Sequence, residues 1–96
     1  MTVVAILGGQ TIARSDDTVR VDGSHYFPID DVRTELLVET RHRTLCPWKG
    51  VASYWTVEAD GVVAERGAWI YRHPSPFARR IRGRVAFSSG VQVHEE

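Results

Sequence analysis

The segment Thr44–Gly50, TLCPWKG, holds the only Cys of the chain, its only Lys and one of its three Trp. Cys46 becomes a nucleophile once enough thiolate forms, and the cations of Lys49, Arg41 and Arg43 are placed to favour that anion. His42 is the nearest imidazole that could take the proton, although it lies four positions before Cys46 across strand and loop. Asp31 is the carboxylate candidate for acid–base work beside Tyr26 or Lys49, provided the fold brings them together. The alternative for Cys46 is the usual fate of a free thiol, which is burial as a small apolar group.

The same residues read equally well as a binding surface. Tyr26, Trp48, Trp69 and Tyr71 offer ring faces to a planar or apolar ligand. Lys49 and an arginine such as Arg43 suit its carboxylate or phosphate end. Pro47 and Gly50 first limit and then release the backbone around Trp48 and Lys49, so the turn is a stiff mount in either case. Metal binding has little support, because Cys46, His25, His42, His73 and His94 show no short paired ligand spacing. No cofactor is implied. Ser88-Ser89-Gly90 reads as a turn, since it lacks the strand–elbow–helix setting of a serine nucleophile.

These residues need strands to position them. TVVAIL (Thr2–Leu7) is an apolar strand ended by Gly8-Gly9, and TIARS returns as its hairpin partner. TVRVDG alternates with a period of two and ends in the Asp22-Gly23 turn. In YFPIDDVRTELL, Asp30 is placed to cap a short helix with Val32 and Leu36 on one face. LVETRHR begins the next strand. VASYWTV (Val51–Val57) is rich in β-branched and aromatic residues and reads as the central strand. VVAERGAWIYR continues the sheet past a turn at Glu58–Gly61, and Gly67 marks a bulge or break. Within it Trp69 and Tyr71 face one side and Ile70 the other. A helical turn over Phe77–Ile81 and closing strands RVAF and VQV complete the chain. With no βαβ series, the expected fold is mainly β: a small roll or partial barrel with one or two short helices.

Composition narrows the function. At 96 residues the chain fits one domain, residues 1–96, and 43% hydrophobic residues exclude wholesale disorder. Twelve basic residues, eleven of them Arg, balance twelve acidic ones. That balance argues against a nucleic-acid partner, while the cluster of Arg72, Arg79, Arg80, Arg82 and Arg84 leaves room for a local anion site. No apolar run is long enough to span a membrane. A single Cys rules out an intrachain disulfide and favours a reducing, cytoplasmic setting.

YFPIDDV (Tyr26–Val32), CPWKGVASYW (Cys46–Trp55), GAWIYRHP (Gly67–Pro74) and GRVAF (Gly83–Phe87), in this order, resemble the DUF427 family of small domains of unknown function. The resemblance covers almost the whole chain and implies a mostly β domain. It points to Tyr26, Asp31, Cys46, Lys49, Trp69 and Tyr71 as site residues without assigning them roles. A nucleotidyltransferase label attached to this family finds no support in the residues. There is no glycine-rich phosphate loop, and no acidic pair with a distant third acid for two metal ions.

Three functions follow. A ligand-binding or accessory domain would use a pocket near the CPWKG loop to hold a small anionic or aromatic molecule. A small enzyme would place Cys46 at the chemistry, with Lys49 and either Asp31 or His42. A structural interaction module would assemble as a homo-oligomer through exposed strand edges.

Overall fold

The computed structural model describes residues Met1–Glu96. Three two-residue turns organise it. Gly8-Gly9 joins β1 (Val3–Leu7) to β2 (Gln10–Ser15), Asp22-Gly23 joins β3 (Val19–Val21) to β4 (Ser24–Pro28), and Asp60-Gly61 joins β6 (Gly50–Ala59) to β7 (Val62–Ile70). All six turn residues have positive φ, which tight hairpins require and which Gly and Asp supply at least cost. The remaining strands are β5 (Leu37–Cys46), β8 (Arg84–Phe87) and β9 (Gln92–Glu95).

Antiparallel pairing gives two sheets: β2-β1-β9, and a six-stranded sheet in the order β3-β4-β8-β7-β6-β5. Alternation then sorts the side chains of the larger sheet. Phe27, Trp55, Val57, Ala68, Ile70, Val85 and Phe87 face the smaller sheet and pack with Val3, Ala5, Leu7 and Ile12 into the main core. Tyr26, Ala52, Tyr71 and Ala86 point the other way and form a second cluster with Tyr54, Trp69 and Cys46.

The expected helix after Asp30 does not form. Ile29–Asp31 and Thr34–Leu36 are separate 3-10 turns, and no side chain caps either one. The cause is tertiary: Val32 bridges Ala13, and the Arg33 amide donates to the Ile12 carbonyl at 2.8 Å. Pairing with β2 draws the chain out between the two turns. Pro76–Ile81 does form the expected turn, also of 3-10 type, and buries Ala78 and Ile81 on the second cluster. The bulge expected near Gly67 is present, as the β6–β7 register shifts between Trp55 and Val57.

The larger sheet is an open roll. Laid flat, its outer strands would stand about 24 Å apart at ordinary strand spacing. Yet Asp22, in the hairpin turn at one edge, meets Lys49, in the β5–β6 turn at the other, at 2.9 Å. Lys49 Nζ lies over the Tyr71 ring, 5.6 Å from its centroid. The outer hairpins therefore curl towards each other over the aromatic face. No helix is long and apolar enough to cross a membrane.

Candidate functional site

The aromatic face is a packed polar array. Trp69 Nε1 donates to Tyr26 Oη at 3.2 Å, and their rings meet edge to face at 6.5 Å. Trp69 also lies 6.1 Å from Tyr54. Tyr54 Oη shares a 2.9 Å hydrogen bond with Thr44, and His42 packs against the Tyr54 ring at 4.8 Å. These links follow from cross-strand placement: Tyr54 opposes Trp69, and Ala52 opposes Thr44.

Lys49 closes one end of this array. Its side chain is only 12% exposed, with Asp22 as ion partner and the Trp48 and Tyr71 rings against it. Burial lowers its pKa, but the Asp22 hydrogen bond and the negative potential of Tyr26, Tyr71 and Asp22 outweigh it, so the net shift is upward. The ammonium is thus a fixed positive charge and cannot act as a base at neutral pH. Tyr71 is also raised, chiefly by burial; Lys49 opposes the shift, while Tyr26, Cys46 and Tyr54 add to it. The turn is anchored by Ser75, whose amide donates to the Lys49 carbonyl at 2.8 Å and whose hydroxyl donates to the Trp48 carbonyl. Gly50, at φ 115°, lies against the backbone of His73 to Ser75, where a Cβ would come 3.4 Å from the His73 carbonyl oxygen.

The residues singled out from sequence separate into groups. Tyr26, Lys49, Trp69, Tyr71 and Cys46 converge on the aromatic face, with Cys46 half-buried against it. Trp48 stands out on the turn, 42% exposed. The concavity expected among the four aromatics is occupied by the rings themselves and by Ala78 and Ile81. Asp31 lines a different depression, with Thr2, Arg14, Ser15, Asp16 and Asp17. It does not join Cys46 and Lys49.

Arg43 lies on the opposite face, paired with Ser53, and Nη1 donates to the carbonyls of Thr40 and His42. There the sheet carries an open trough. One part, about 140 Å³, is lined by Glu39, Arg43, Ser53, Trp55 and Arg72 among others. The adjoining part, about 500 Å³, borders the CPWKG turn and is lined by Gly50, Val51, Ser53, Arg72, His73 and Ser75. Ser53 and Arg72 belong to both. The Arg72 guanidinium stacks on Trp55, 5.3 Å from the ring centroid, and has no carboxylate partner. Arg72 belongs to the arginine cluster expected from sequence, but it stands in the trough without the other four, and Ser53 carries no motif that marks it. Strand alternation was the available signal, since it puts Ser53, Trp55 and Ile70 on one face.

A search of the curated proteins returns no match to the chain. The model of the family described as "Domain of unknown function (DUF427)" matches residues 1–96, so the chain belongs to that family over its whole length.

Proposed function

We propose that the protein is a small-ligand-binding domain whose ligand is an anion with an aromatic or apolar body, held in the trough beside the CPWKG turn. The observation that carries this reading is the stacked, uncommitted Arg72 on the wall shared by both parts of the trough. A guanidinium held over an indole, with no carboxylate partner, keeps its fork of donors free for bidentate contact with a carboxylate or phosphate. Arg43 adds a second positive charge, against the single carboxylate of Glu39. Val51 and Gly50 supply an apolar wall. The enzyme reading has less behind it. Lys49 is tied to Asp22, and Asp31 lies in a separate depression. A chain whose single cysteine, Cys46, forms no disulfide suits a cytoplasmic setting.

Titration of the full chain with phenyl phosphate, followed by amide chemical shifts, tests this. Shifts should centre on Ser53, Arg72 and His73. Arg72→Ala should weaken binding by about tenfold, the scale of one lost charged hydrogen bond. Arg72→Lys should restore little of it, because lysine lacks the planar fork of donors. Equal binding by wild type and Arg72→Ala would remove the proposal.

A further inference from the structure

A second cavity, of about 600 Å³, opens between the sheets on the side where β3 and β4 approach β9. Arg20 and His25 are direct cross-strand partners, and alternation puts both on the face turned away from Tyr26, towards this cavity. Across it stands Glu95, on the same side of β9 as Val93, which packs on the main core. Phe87, Val91 and Val93 provide the apolar part of the lining, and Ser88 and Ser89 contribute hydroxyls.

The charges on these walls are unspent. Arg20 has no carboxylate within ion-pair distance, and Glu95 has only His25 Nε2 at 3.9 Å. Arg20 and Glu95 do not pair with each other, although they line one cavity. His25 is held at its other nitrogen by Thr18, Nδ1 to Oγ1 at 3.1 Å. A cavity with one unpaired cation, one carboxylate met only by a histidine at 3.9 Å and an apolar patch complements a ligand carrying both charges and an apolar group. A simple anion would satisfy Arg20 and be repelled by Glu95. A simple cation would do the reverse. We infer that this cavity is a site for a small zwitterion of the α-amino-acid type with an apolar side chain. Its carboxylate meets Arg20, its ammonium meets Glu95, and its side chain lies on Phe87, Val91 and Val93.

The test compares three probes on the full chain by amide shifts: L-phenylalanine, phenethylamine without the carboxylate, and 3-phenyllactate without the ammonium. Phenylalanine should shift Arg20, Ser88, Ser89 and Glu95, and each single-charge analogue should bind about tenfold more weakly. Arg20→Ala should erase the advantage of phenylalanine over phenethylamine. Glu95→Gln should erase its advantage over phenyllactate. Both side chains are exposed, and an otherwise unchanged spectrum verifies that each variant is folded. Arg72→Ala should leave phenylalanine binding intact, which keeps this site separate from the trough. Equal binding of the three probes at Arg20 and Glu95, phenylalanine shifts confined to Ser53 and Arg72, or an advantage at Glu95 that survives Arg20→Ala would each overturn the inference.

Discussion

The two faces of the six-stranded sheet are both covered, but by different physics. On one, Phe27, Val57, Ile70, Val85 and Phe87 meet the smaller sheet with scarcely a polar atom between them. On the other, Tyr26, Tyr54, Trp69 and Tyr71 carry polar handles. Tyr26, Tyr54 and Trp69 join theirs to one another or to Thr44, while Lys49 and Asp22 close the end. No buried side-chain polar atom lacks a partner. The first face is held by shape and burial, so its cost of failure is a cavity. The second is held by shape plus a chain of mutual satisfaction, so its cost of failure is also an orphaned donor.

The largest effect should come from the first face. Phe27 is fully buried and meets Phe87 edge to face at 5.5 Å. Phe27→Ala should cost about 3–5 kcal/mol, read as a lower urea midpoint, because its neighbours belong to two sheets and cannot collapse together. A loss under about 1 kcal/mol would mean that the faces do not differ as described.

A smaller and more specific effect should come from Tyr26→Phe. The ring stays and only the hydroxyl goes, leaving Trp69 Nε1 without its acceptor. The expected loss is about 1–3 kcal/mol, the cost of an unsatisfied donor in a part-buried setting. Replacing Trp69 by Phe in the same background removes that orphan, so the double variant should lose less than the sum of the singles. Strict additivity would show that the hydrogen bond contributes nothing beyond ring packing.

Much of this arrangement was legible in the sequence, and what escaped it was long-range. Gly8-Gly9 and Glu58–Gly61 announced their hairpins, Asp22-Gly23 announced a turn but not the strand that returns from it, and the alternation in WIY set Trp69 and Tyr71 against Ile70. The helix expected after Asp30 was overridden by pairing of Val32 and Arg33 with β2, a contact no local pattern carries. Gly67 flagged the β7 bulge one residue late. Arg66 takes the left-handed φ of 53°, whereas Gly67 is there for space, since a Cβ would sit 2.8 Å from the Ala64 carbonyl oxygen. Asp22 read only as a turn residue. Its link to Lys49 depends on the curl of the whole sheet, which accumulates over six strands and has no local signature. The trough escaped for the same reason: Trp55 lies on β6 and Arg72 on the segment that follows β7.

The smallest effect should come from that link, and pH distinguishes it from the rest of the aromatic face. Asp22 is mostly exposed, so solvent screens the pair, and Lys49→Met should cost only about 1 kcal/mol at pH 7. Methionine preserves much of the contact with Trp48 and Tyr71 while deleting the charge. In the wild type, Lys49 and Tyr71 both have raised pKa values in the folded state. Their folded forms hold protons that the unfolded chain releases near pH 10. The stability they contribute is therefore complete below that pH and declines as pH rises through the folded values. Urea midpoints measured from pH 8 to 11 should fall at the alkaline end in wild type. In Lys49→Met, the part of the decline due to lysine should disappear. Tyr71 should keep a decline of its own, because burial is the chief cause of its shift and loss of the opposing Lys49 charge raises it further. Identical alkaline slopes in the two proteins would show that the Lys49–Asp22 contact closes the roll sterically rather than through its charge.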